Sequence, residues 1–179
     1  MNIRLDIEYK GTDFAGWQYQ PGLSTIQSEI ENAIKKVTGK DVPLIGAGRT
    51  DAGVHALNQV ANFKIEHTLP AEKYRDALNY YLPKTILIKH SSLADDSFHA
   101  RRFALWRQYR YIINTTRTAL QFEYQWEHLA PLRLEPMNSA DTEIPFINMP
   151  SKLDKERCLR QHGEVMCQGL CISVCPVGH

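Results

Sequence analysis

The chain has 179 residues, 43% of them apolar and 23% charged, with a formal net charge of +1. That length suits one ordinary domain with a real core and falls short of two comfortable ones, and the composition is that of a globular protein in water. No apolar run approaches the roughly 18–20 residues of a membrane span, and MNIRLDIEYK at the start lacks the apolar centre of a signal peptide, so a cytoplasmic protein without membrane contact is expected.

The elements follow in order. In IRLDIEYK, Ile3, Leu5, Ile7 and Tyr9 alternate with Arg4, Asp6, Glu8 and Lys10, the period of a half-buried strand. GTDFAGWQYQPG is a Gly-rich loop. STIQSEIENAIKKVTG predicts a helix capped by Ser24 or Thr25, with Ile26, Ile30, Ala33, Ile34 and Val37 as its apolar stripe and Gly39 as its stop. VPLIGAG predicts a short strand and QVANFKIE another. PAEKYRDALNYYLP predicts a second helix between Pro70 and Pro83. TILIKHSSL and QYRYIINTT predict strands on either side of the DDSFHARRF loop. Strand, helix, strand, strand, helix, strand, plus one added strand, is the split βαβ pattern of a ferredoxin-like α/β (α+β) fold with a mostly antiparallel sheet.

The run GAGRTDAGVHA, residues 46–56, sets Asp51 among Gly46, Ala47, Gly48, Ala52 and Gly53, two residues after Arg49. Small residues let the backbone turn sharply and let a bulky partner approach. One reading is a turn or capping Asp. The other is a reactive carboxylate: Arg49 and Asp51 share parity and face the same way if the chain is extended, and a guanidinium nearby favours the ionised form. Asp51 is the only acid between Val42 and Ile65, so local sequence offers no glycosidase-type carboxylate pair. No Ser or Cys nucleophile accompanies His55, which reads as a polar residue near the next element rather than a triad member.

From Ser97 to Phe122 there is no acid but five arginines, Arg101, Arg102, Arg107, Arg110 and Arg117, interleaved with Phe98, Phe103, Trp106, Tyr109 and Tyr111. Arginines for phosphates and aromatic faces for bases suit an RNA surface. The plainer reading makes Tyr109, Tyr111 and Ile113 one face of a strand and the arginines its solvated side.

GRTDAGVHA closely resembles the signature of the tRNA pseudouridine synthase A family, and YKGTDFAGWQYQP, STIQSEIENAI, NYYLP, FHAR and YRYII match that family in order. The likeness extends loosely through PLRLEPMNSA and so covers about residues 1–140. It implies the N-terminal half of a pseudouridine synthase fold that isomerises uridine in the anticodon stem-loop of tRNA, at positions 38, 39 and 40. It implies no metal or cofactor, Asp51 as the catalytic carboxylate, Arg49 beside it holding the target base outside the helix, Tyr109 stacking on the uracil, and a homodimer.

From Asp141 the resemblance stops, and the second half of the family's fold is not recognisable. Residues 141–179 read as an unmatched tail, frameshifted or disordered, or else as a genuine addition. The tail holds all four cysteines, Cys158, Cys167, Cys171 and Cys175, whose spacing is a poor match to the closely spaced pairs of structural zinc sites. An RNA-binding fragment with impaired catalysis is the alternative to an active enzyme.

Overall fold

The computed structural model describes residues 1–66, 69–110, 112–120 and 124–129. Of these, the residues up to Arg110 belong to a first unit and those from 112 onward to a second.

In the first unit the alternating N-terminus becomes strand β1 (Asn2–Tyr9), with Ile3, Leu5, Ile7 and Tyr9 buried and Arg4, Asp6 and Glu8 partly exposed. Helix α1 (Ile26–Thr38) starts at Thr25 rather than Ser24. The Thr25 hydroxyl accepts from the Ser28 N–H while the Ser28 hydroxyl accepts from the Thr25 N–H, a reciprocal cap for two orphan donors. It stops at Gly39, whose φ of 73° is the left-handed conformation glycine adopts without penalty, and whose N–H returns to the Lys35 carbonyl. Strands β2 (Ile45–Gly46) and β3 (Ala56–Lys64) follow. A 3-10 turn (Ala71–Lys73) leads into helix α2 (Tyr74–Tyr81), which ends as Leu82 goes extended ahead of Pro83. Strand β4 (Ile86–Ala94) completes the sheet.

The strand order is β2-β3-β1-β4, with every neighbouring pair antiparallel. Each helix thus connects two strands that flank a third, the ferredoxin-like arrangement expected from the element order. On one face, Ile3, Leu5, Ile7, Ala61 and Phe63 pack with Ile26, Ile30, Ile34, Tyr74 and Leu78 of the helices. The other face carries a smaller cluster of Ala47, Val60, Phe98 and Ala100. A buried amide pair fastens the 95–100 loop over that second face. Asn2 donates to the carbonyls of Asp95 and Phe98, and Asn62 donates to Asn2 Oδ1 and accepts from the Ala100 N–H.

One expected element differs. Among the described residues of 108–116, 108–110 have no regular structure and only β5 (Ile113–Asn114) is a strand, pairing in parallel with β6 (Trp126–Glu127) in the second unit. A strand exists only where a neighbour takes its N–H and C=O groups; alternation alone does not supply that neighbour. The boundary expected near residue 140, the cysteine-containing tail and Tyr111 lie outside the described residues.

Candidate active site

The loop from Ala47 to His55 sits between β2 and β3 and rests on the first Gly-rich loop. The Trp17 N–H donates to the Thr50 carbonyl at 2.9 Å, and the Gly53 N–H to the Phe14 carbonyl at 3.3 Å. Gly16, at φ 95°, is where the two backbones meet: a Cβ there would lie 2.7 Å from the Thr50 carbonyl oxygen. Within the loop, Val54 donates to the Asp51 carbonyl at 3.2 Å and Gly53 takes a φ of 78°, which closes a tight turn.

Thr50 points inward. It is 7% exposed, and its Oγ1 lies 2.7 Å from the hydroxyl of Tyr9 at the end of β1. Arg49 and Asp51 on either side are exposed, on a backbone anchored at Thr50 and Gly53. His55 is buried at 4%, and its Nδ1 accepts from the Gly11 N–H at 3.1 Å. Accepting at Nδ1 puts the ring proton on Nε2. The imidazole holds the two loops together, in keeping with its reading as a polar residue at the next element.

The small residues are used in a way the sequence did not reveal. A Cβ on Gly46 would come 2.6 Å from the Trp17 indole, so this glycine makes room for a side chain of the protein itself. Trp17 and Tyr9 lie with ring centroids 6.0 Å apart, both buried.

Tyr109 is 41% exposed in the 104–110 segment. Two residues before it, Arg107 Nη2 donates to the Ala47 carbonyl at 2.6 Å. The three expected site residues therefore divide: Arg49 and Asp51 share one loop, and Tyr109 belongs to a segment tied to that loop through Arg107. Sequence reasoning missed Thr50, Arg107 and Gln59, whose Nε2 donates to the Gly48 carbonyl at 2.8 Å. Only Arg107 had a visible signal, its place in the basic stretch, and there it looked like a phosphate ligand or a solvated charge. Arg101 and Arg102 are exposed, as are Phe103 and Trp106, so an arginine and aromatic surface does follow the loop. Among the described residues no group of three or more His, Cys, Asp or Glu is placed to hold a metal ion, and no helix is long and apolar enough to cross a membrane.

Fold and loop together define a ferredoxin-like half of the pseudouridine synthase fold. The family model described as tRNA pseudouridine synthase matches residues 7–103, a span that includes Arg49 and Asp51 and ends before Tyr109. Among curated relatives, the "tRNA pseudouridine synthase A" of Thermoanaerobacter sp. (strain X514) is 47% identical over 141 residues, 78% of this chain and 58% of the relative. That of Brachyspira hyodysenteriae is 48% identical over 128 residues, 70% and 51% of the two chains, and that of Caldicellulosiruptor saccharolyticus is 54% identical over 112 residues, 63% and 46%. The chain belongs to the tRNA pseudouridine synthase family. It spans about half the length of the curated relatives it matches.

Proposed function

We propose that this chain carries the aspartate-bearing side of a site that converts uridine to pseudouridine in tRNA, in the anticodon stem-loop at positions 38, 39 and 40, in the cytoplasm and as a homodimer. The observation that supports it most is the presentation of Arg49 and Asp51 to solvent on either side of the inward Thr50, by a loop pinned to a second loop. A carboxylate held on an anchored backbone meets a reacting sugar or base in a fixed direction, which is how orientation lowers a barrier.

The reaction breaks the C–N glycosidic bond, turns the uracil and forms a C–C bond. Product and substrate are isomers, so nothing is oxidised, no group arrives from outside, and no metal or cofactor is called for. The target nucleotide must leave its stack, at a cost of a few kcal/mol. In this reading Asp51 is the catalytic carboxylate, Arg49 holds the base outside the helix, and Tyr109 stacks on the uracil, with the exposed arginines of the following segment meeting phosphates. The half-length match to the curated relatives favours a second reading, a chain that binds tRNA without turnover.

The test is incubation of the full chain with unmodified tRNA, followed by mass-spectrometric mapping of pseudouridine. Conversion in the anticodon arm, lost in Asp51→Asn with tRNA affinity retained, is the expected result. Conversion that survives Asp51→Asn would remove the aspartate from the chemistry. Binding without conversion by the unaltered chain would leave the second reading.

A further inference from the structure

Ala47 and Gly48 immediately precede Arg49, and each carbonyl is held by a side chain from a different part of the fold. Ala47 is fully buried; its N–H pairs with the Val60 carbonyl at 2.7 Å, and its carbonyl accepts from Arg107 Nη2 at 2.6 Å. The Gly48 carbonyl accepts from Gln59 Nε2 at 2.8 Å. Gln59 is fully buried and stands opposite Ile7, hence on the helix-covered face of the sheet. Its other amide atom, Oε1, has no partner among the described residues.

Arg107 belongs to the segment that follows Phe98 and Ala100 across the other face of the sheet. Arg101, Arg102, Arg107 and Arg110 are all exposed residues of one basic stretch. Among the described residues Arg107 alone of these four has a side-chain hydrogen bond to the protein, a short charge-assisted one to a buried backbone carbonyl. Tyr109 lies two residues further on, at most about 7 Å along the chain. The tether therefore fixes the distance between the segment that carries Tyr109 and the loop that carries Asp51, in a stretch with no ladder hydrogen bonds of its own.

We infer that Arg107 is a positioning residue rather than a phosphate contact: with Gln59 gripping the same loop at the next residue, it locks the Tyr109 segment against the Asp51 loop. The inference rests on the reading above, in which Asp51 and Tyr109 act on one nucleotide. An arginine that meets phosphate and one that meets a backbone carbonyl leave different signatures. Removing the first weakens binding and lowers the salt dependence by about one phosphate contact. Removing the second leaves binding and its salt slope in place and misplaces the reacting groups, which costs about ten- to a hundredfold in rate.

The experiment uses the full chain with Arg107→Met, Arg107→Lys and, for comparison, Arg101→Met. Three quantities are read: tRNA affinity against salt, single-turnover pseudouridine formation at saturating protein, and amide exchange. For Arg107→Met the expected result is affinity within about twofold and an unchanged salt slope, with saturated conversion down by about tenfold or more. Exchange should be faster in residues 46–54 and unchanged in β1. Arg107→Lys should recover part of the loss, because the carbonyl accepts from a single nitrogen. Arg101→Met should instead lower the salt slope. Weaker binding and a smaller slope in Arg107→Met, with saturated conversion intact, would overturn the inference, and so would unchanged exchange in the loop. If the unaltered chain converts no uridine, the functional reading falls, and exchange in residues 46–54 still decides whether Arg107 holds the loop.

Discussion

The hydroxyl of Tyr9, the last residue of β1, lies 2.7 Å from Oγ1 of Thr50, the residue between Arg49 and Asp51. A buried hydrogen bond thus runs from one of the two inner strands of the sheet to the residue between the exposed pair, and it fixes which residue of the RTD triplet faces inward. Thr50→Val should destabilise the chain by about 1–3 kcal/mol, because it leaves the Tyr9 hydroxyl without this partner. Combining it with Tyr9→Phe should cost clearly less than the sum of the two single changes, because contacting residues are coupled. Chemical denaturation of the four chains measures the coupling; strict additivity would mean that the two hydroxyls do not interact.

Gly16 is the second anchor. Its φ of 95° and the 2.7 Å approach of its missing Cβ to the Thr50 carbonyl oxygen leave no room for alanine. Gly16→Ala should cost about 1–3 kcal/mol in backbone strain alone and displace the Asp51 loop. Gly22→Ala shares the positive φ but meets nothing within 4 Å, so it should show the strain without the displacement. Thermal melts together with amide chemical shifts of Arg49 and Asp51 separate the two effects.

His55 can be tested as a brace. Replacing it with Leu strands the Gly11 N–H in the interior and should cost about 1–3 kcal/mol. Asn can set an oxygen near the position of Nδ1, so His55→Asn should retain more stability than His55→Leu. Equal losses would show that shape, and not the acceptor at Nδ1, is what Gly11 needs.

Acid should loosen the 95–98 turn before the sheet. The Ser97 side chain and N–H donate to Asp95 Oδ1 at 2.6 and 2.8 Å, and these bonds hold its carboxyl below the usual carboxylate range. A carboxyl whose folded value lies below its unfolded value of about 4 contributes fully above that pH. Its contribution is lost as the pH falls through the folded value. Exchange at Ser97 and Phe98 should therefore quicken in that acid window, and Asp95→Asn should flatten the dependence. Identical acid profiles for the two chains would refute the assignment.

Much of this was written in local sequence. The strand of Ile3, Leu5, Ile7 and Tyr9, the helix ended by Gly39 and the extended Leu82 before Pro83 follow from periods and dihedral preferences that act within a few residues. Tertiary structure decided what those preferences cannot encode, namely which partner each group meets. Gly46 is small because Trp17 lies against it, and Gly16 because the backbone after Thr50 passes over it. Arg107 bonds to Ala47, and Gln108, Tyr109 and Arg110, which open the expected QYRYIINTT strand, form no strand because no ladder reaches them. Contacts between residues dozens of positions apart depend on how the sheet is ordered, and they fixed the Asp51 loop in place.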